Sequence, residues 1–286
     1  MRIHRPQIPG LFVTGTGTGV GKTVVACLVA DQLRRLEAET SPRSRIGVCK
    51  PMATGCRKER GELISDDAEE LAHAADFDPD IGDLTLVNPL RFREPVAPAV
   101  ALQLKRNGPA TRNDNVPVPW EVLDHALERL DAHCSHLVVE GIGGVMVPIE
   151  GPGRANHRRD YPRTVLDLMA AIGYPAVVVA DAALGTLNHT ALTVAALHSR
   201  GVRVAGVVIN RYHAGTDDIA MLTNPQWIPA QNKVPILAVL PEHHWDVRSI
   251  HPAFREAIDV TDFRALCRPG VAPPVRFASE TPPGQP

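Results

Sequence analysis

The run Gly15-Thr16-Gly17-Thr18-Gly19-Val20-Gly21-Lys22-Thr23 fits the spacing GxxxxGK[ST]. Glycines at this density let a backbone wrap closely around an anion with its N–H groups turned inward. Lys22 would bring charge to the β- and γ-phosphates of a nucleotide, and Thr23 a hydroxyl to its Mg²⁺. Such a loop needs a strand before it and a helix after it. Leu11-Phe12-Val13 supplies a short apolar run, and from Lys22 to about Leu36 apolar residues recur with helical spacing at Val25, Leu28, Val29 and Leu33. The start of that helix adds the positive end of its dipole. A glycine-rich turn with an ordinary exposed lysine would not require either neighbour. The expectation is therefore an ATP site that includes Thr18, Gly19, Val20, Gly21, Lys22 and Thr23.

In open α/β sheets ligands bind at the carboxyl ends of the strands, so the residues there are the next candidates. Lys50 ends the run RIGVCK, and Pro51 forces the chain to turn after it. It reads either as a solvated strand-end lysine or as a γ-phosphate contact. Glu140 ends HLVVE and precedes Gly141-Ile142-Gly143-Gly144. It has the placement of a second Mg²⁺ anchor, with an acidic turn residue as the alternative. Ser65-Asp66-Asp67-Ala68 opens a helix, where Ser65 or Asp66 suits an N-cap and the acids suit the dipole as well as a metal. Asn210 and Arg211 follow the strand Val204–Ile209, where an asparagine amide reads either as an adenine contact or as a turn former. Pro241, Glu242 and His243 follow the last strand and are placed to wrap a base. His133-Cys134-Ser135-His136 spans a helix end and a strand start, which argues for structure over metal binding.

These residues need a scaffold, and the remaining pattern supplies one. Strands are expected at Arg45–Lys50, His136–Val139, Ala176–Ala180, Val204–Ile209 and Ile236–Val239. Helices are expected at Leu63–Ala75, Trp120–Ala132 and Leu187–Ser199. Apolar runs such as VVVA and AGVVI fit strands buried on both sides. The alternation predicts a P-loop NTPase-type α/β fold: an open, mainly parallel sheet with helices on both faces, in a single domain. Residues 1–9 read as an N-terminal arm, 10–267 as one P-loop ATP-dependent domain, and 268–286, with six of the 26 prolines, as a disordered tail. Arg57–Gly61 and Glu150–Arg163 read as polar loops.

Composition excludes several classes. Of 286 residues 44% are hydrophobic and 22% charged, and the formal charge is −2, which suits a soluble globular chain and argues against nucleic acid as a partner. No apolar run approaches the roughly 18 residues of a membrane helix, and the polar N-terminus does not read as a signal peptide. The five cysteines are scattered, with no CxxC pair, as expected of a cytoplasmic protein.

In order, FVTGTGTGVGKT, KPMATG, SDDA, NPLRFREPVAP, VEGIGG and LGTLNHT resemble segments of the dethiobiotin synthetase family, over about Gly10 to Leu240. The first motif is common to many ATPases; the order of the others is far more specific. The resemblance implies ATP- and Mg²⁺-dependent carboxylation of 7,8-diaminononanoate by CO₂ and ring closure to dethiobiotin, through a carbamate and a carbamic–phosphoric anhydride. It implies catalytic roles for Lys50 and Lys22, and Mg²⁺ ligation by Thr23, Asp67 and Glu140. It assigns ATP contacts to Gly141, Ile142, Gly143, Asn210, Arg211, Pro241, Glu242 and His243. Substrate contacts would come from Thr54, Gly143, Gly144, Pro148, Gly185, Thr186, Leu187 and Asn188, near a homodimer interface. The chain departs from the family at Gly17, where many relatives carry Asp, at Ile142, where a small residue is usual, and after Pro98, where a histidine is missing. These departures bear on the substrate rather than on ATP chemistry. The contrasting reading is a partitioning or septum-positioning switch ATPase (ParA- or MinD-like). Such proteins carry an early second lysine in the loop, where this chain has Thr16.

Overall fold

Alternate residues of strand β1 (Gly10–Gly15) serve two cores. Leu11 and Val13 join an apolar cluster on one face of the central sheet, and Phe12 joins the cluster on the other. The structure, a computed structural model, describes residues 3–41, 44–78, 80–104, 117–152 and 161–267. The proline-rich segment 268–286 and most of the 150–163 loop lie outside the described residues.

The sheet comprises β1, β2 (Ile46–Cys49), β3 (His136–Glu140), β4 (Ala176–Asp181), β5 (Val204–Tyr212) and β6 (Ile236–Pro241). Their order is β6-β5-β4-β1-β3-β2, and every neighbouring pair is parallel. Helices cover both faces, because parallel strands need crossovers and those crossovers bury both sides. α1 (Lys22–Thr40) and α2 (Asp66–Ala75) pack on one face through Val25, Leu28, Leu33 and Leu71. α3 (Trp120–His133), α4 (Val165–Ile172), α5 (Thr186–Ser199) and α6 (Ile219–Asn232) pack on the other through Leu127, Met169, Val194 and Ile228. α7 (Pro252–Ile258) returns to the first face with Phe254 and Ile258.

The expected strands and helices are present with edges shifted by a few residues. There are three departures. Arg57–Gly61, expected as a loop, belongs to an antiparallel hairpin in which Arg57–Glu59 pairs with Glu62–Ile64. Its turn is Arg60-Gly61, with φ of 49° and 93°, the left-handed pair that two-residue hairpin turns require. Asn210 and Arg211 lie within β5 and not after it. α6 had no helical signal in the sequence because Pro225 and Pro229 lie inside it, each removing a backbone donor. Its start is secured by Asp218, whose carboxylate accepts from Ala220 N–H at 2.8 Å.

Candidate active site

The carboxyl ends of β1, β2 and β3 deliver the phosphate loop, Lys50 and Glu140 to one edge of the sheet. Lys22 is the first residue of α1, and its Nζ donates to the Gly17 carbonyl at 2.8 Å. Gly21 precedes it with φ 93°, and a Cβ there would lie 2.0 Å from Asn210 Nδ2, so only glycine fits. Asn210 donates that amide to the Val20 carbonyl at 3.0 Å. Arg211, itself left-handed at φ 60°, donates to the Gly19 carbonyl at 2.6 Å and pairs with Asp181 at 3.0 Å. Two residues expected to contact ATP thus bond the phosphate loop's backbone. Asp181, the last residue of β4, anchors one of them.

The loop's hydroxyl meets two carboxylates, and Lys50 joins the same pair. Thr23 Oγ1 lies 2.8 Å from Glu140 Oε1 and 3.0 Å from Asp67 Oδ1, one proton shared between two acceptors. Lys50 Nζ donates to Glu140 Oε1 at 2.6 Å and also to Asp67 Oδ2. Lys50 and Glu140 are buried, at 3% and 1% exposure, whereas Asp67 reaches the surface. Ser65 is the N-cap of α2, accepting from Ala68 N–H, and this puts Asp67 in the first turn. Asp66 points away and pairs with Arg57 of the hairpin. Glu140 Oε2 is buried and has no hydrogen-bond partner. Two carboxylates and a hydroxyl, with one carboxylate oxygen unsatisfied, form a hard-oxygen donor set that fits Mg²⁺.

VEGIGG closes the site from the side. A Cβ on Gly144 would meet Gly17 Cα at 3.7 Å, and Gly143 (φ 59°) lies close to Thr18. Gly141 N–H continues the ladder to the Val13 carbonyl at 2.9 Å, and Ile142 packs against one apolar core. Gly17 itself has open space where a side chain would go. An aspartate would therefore fit there.

The other candidates lie on separate segments. Thr54 directly follows the Met52–Ala53 strand, and Pro148 begins the short strand Pro148–Glu150. Gly185 (φ 97°) is the N-cap of α5, whose first turn holds Thr186, Leu187 and Asn188; Thr186 Oγ1 is buried and unpartnered. Pro241 ends β6 opposite Tyr212, Glu242 N–H bonds the Tyr212 carbonyl at 2.9 Å, and the exposed His243 stacks on His251. His133 to His136 runs from the last turn of α3 into β3. Among the described residues no group of three or more His, Cys, Asp or Glu could hold a metal.

Burial and charge set the protonation states. Burial lowers the Lys22 ammonium to a pKa of about 8, with Glu140 opposing and Lys50 assisting. Burial also acts to lower Lys50, but Glu140 and Asp67 more than reverse it and hold the ammonium charged. Burial pushes the Asp67 carboxyl up, and Lys50 and Thr23 override it and hold it below the ordinary carboxylate value. Burial raises Glu140, which Lys50 only partly offsets. A phosphate prefers charged Lys22, so above a pH of about 8 binding must take up a proton. Nucleotide affinity is expected to be flat below that pH and to fall by up to about tenfold per unit above it. Titration calorimetry with ATP from pH 7 to about 9.5 checks this, and an affinity unchanged across the range would contradict it.

A family model described as an AAA domain matches residues 9–245. The chain is 33% identical to "ATP-dependent dethiobiotin synthetase BioD" of Thermodesulfovibrio yellowstonii over 232 residues, covering 81% of this chain and 88% of the relative. It is 34% identical to the protein of the same name from Bacillus velezensis over 262 residues, covering 91% and 98%. Among solved structures it is similar to a ParA family ATPase from Chlorobium tepidum, 12% identical with a TM-score of 0.47, covering 88% of this chain and 96% of that one. That degree of structural likeness adds nothing to the switch-ATPase reading. With identity above 30% along most of both sequences, the chain belongs to the ATP-dependent dethiobiotin synthetase (BioD) family.

Proposed function

We propose that this chain uses MgATP to carboxylate 7,8-diaminononanoate with CO₂ and close it to dethiobiotin, releasing ADP and phosphate. Family membership supports the substrate. The observation that carries the chemistry is the Lys50 ammonium, buried between Glu140 and Asp67 and beside Thr23 of the phosphate loop. A neutral substrate amine attacks CO₂ and loses a proton, giving a carbamate. A carbamate oxygen attacks the γ-phosphorus, and the bond to ADP breaks. The second amine attacks the carbonyl carbon of the mixed anhydride, phosphate leaves, and a proton is lost as the urea ring closes.

No protein nucleophile is needed, so the protein's work is positioning and charge stabilisation. Lys22 and the loop amides from Thr18 to Thr23 hold the β- and γ-phosphates. Lys50 neutralises charge on the phosphoryl group in transfer. Thr23, Asp67 and Glu140 would hold Mg²⁺. When bound, that ion offsets phosphate charge. Thr54, Gly143, Gly144 and Pro148 would line the diamine, and the first-turn amides of α5 at Gly185–Asn188 would take its carboxylate. Asn210, Arg211, Pro241, Glu242 and His243 would flank the nucleoside, and Gly141 and Ile142 the phosphate side. Phosphate release from MgATP tests the reading. It is expected to require both the diamine and bicarbonate, and release indifferent to the diamine would overturn it.

Two further features belong to this reading. A homodimer is supported by apolar side chains left exposed on and beside the packed helices α5 and α6: Leu184 (87%), Leu192, Ile219 (75%), Leu222 and Trp227. Leu192→Glu is expected to shift the sedimenting species to half its mass and to raise the KM for the diamine while ATP affinity holds. A wild-type monomer would contradict it. The five free cysteines are all buried, which supports a cytoplasmic setting; no helix among the described residues is long and apolar enough to cross a membrane.

A further inference from the structure

The segment NPLRFREPVAP has no part in the chemistry above, yet its first residue is among the most buried polar groups of the chain, with Asn88 1% exposed. Its side-chain amide donates to the backbone carbonyl of Lys50 at 2.6 Å. One residue earlier, the Val87 carbonyl accepts from Lys50 N–H at 2.7 Å. The backbone of Lys50 is therefore held on both sides by consecutive residues. The clamp continues along the chain. Phe92 N–H bonds the Ala53 carbonyl at 2.9 Å and Cys56 N–H bonds the Phe92 carbonyl at 3.0 Å, with Met52 paired to Leu90 and Ala53 to Arg91.

This matters because β2 ends at Cys49 and Pro51 cannot donate to a ladder, so the sheet does not fix the carbonyl of Lys50. Asn88 itself is fixed: its N–H bonds the Leu84 carbonyl at 2.9 Å, at the end of a helical turn, Leu84–Val87, capped by Asp83. Its other side-chain atom, Oδ1, is buried without a partner. The residue also lines a cavity of about 230 Å³ with Ser65 and Ala68 of the segment that carries Asp67. A buried amide with half its hydrogen bonding unmet is costly to keep for packing alone.

We infer that Asn88 is a positioning residue for Lys50: its amide fixes the peptide from which the ammonium reaches between Glu140 and Asp67. The inference rests on the catalytic role proposed for Lys50. Asn88→Ala is expected to lower kcat roughly 10- to 100-fold, leaving the dissociation constant for ATP, set by Lys22 and the phosphate loop, within about twofold.

The test is a double-mutant cycle of Asn88→Ala and Lys50→Ala, read as single-turnover phosphate release, with ATP affinity and Tm measured on all four proteins. Positioning predicts that Asn88→Ala costs its full factor when Lys50 is present and no further factor when Lys50 is absent. An equal factor in both backgrounds would mean a general structural role and would overturn the inference, as would wild-type kcat in the single variant. If Asn88→Ala does not fold, Asn88→Ser tests the same loss: its hydroxyl is too short to reach the Lys50 carbonyl. If Lys50→Ala alone turns over like wild type, the role of Lys50 fails. If Lys50→Ala is inactive and Asn88→Ala is normal, the positioning inference alone fails.

Discussion

Lys50→Ala is expected to lower kcat by about 10³-fold or more and to leave the dissociation constant for ATP within about threefold. The reason is the division of labour between two lysines. Lys22 opens α1 and bonds the loop carbonyl of Gly17, where it would serve a bound phosphate whether or not transfer occurs. Lys50 comes from a different strand end and is held charged between two carboxylates. Its charge counts most when negative charge redistributes during transfer, and such an interaction lowers kcat when removed without weakening ground-state binding. The variant also loses a buried charge partner. Removing one partner of a buried pair costs on the order of 3–5 kcal/mol, though Asp67 reaches solvent and Glu140 can take up a proton. A Tm lower by roughly 5–10 °C is therefore expected as well. Single-turnover kinetics beside calorimetric ATP binding separates the two effects. Turnover within a few-fold of wild type would remove Lys50 from the mechanism.

Glu140→Gln should raise the Mg²⁺ concentration giving half-maximal activity about tenfold or more and lower kcat by about 10²-fold. The substitution keeps shape and removes charge. It replaces the buried, unpartnered Oε2 with an N–H₂ group, turning an acceptor that suits a cation into a donor that repels one. It also removes the deeper of the two counter-charges of Lys50. Thr23 retains Asp67 as an acceptor at 3.0 Å, so the phosphate loop should hold its shape and ATP should bind in Mg²⁺-free buffer as in wild type. An unchanged Mg²⁺ titration would count against Glu140 as a ligand.

How much of this was legible depended on whether the signal was local. The phosphate loop announced itself because spacing, strand and helix all lie within Gly10–Thr40. Lys50, Asp67 and Glu140 were each ambiguous in isolation. Only the fold brings three segments more than 15 residues apart to within hydrogen-bond distance, and only the ordered motifs suggested in advance that they belong together. Asn210 was read toward the base, and one N–H of its amide also donates to the Val20 carbonyl, a contact across 190 residues that no local pattern encodes. Asn88 lay in plain view in a quoted motif, yet its partner is a backbone carbonyl, which leaves no side-chain signature. The hairpin at Arg57–Ile64 was missed because its strands are short and exposed, without apolar alternation. α6 was missed because its prolines contradict the helical rule that its packing and its Asp218 cap overcome.

The most direct measurement is incubation of the purified protein with MgATP, 7,8-diaminononanoate and ¹³C-bicarbonate, with product mass and phosphate followed together. Dethiobiotin carrying one ¹³C, formed one-to-one with phosphate and absent when either the diamine or bicarbonate is withheld, is the expected result. Phosphate released without labelled dethiobiotin would contradict the proposed reaction and would leave a nucleotide hydrolase whose acceptor is not this diamine.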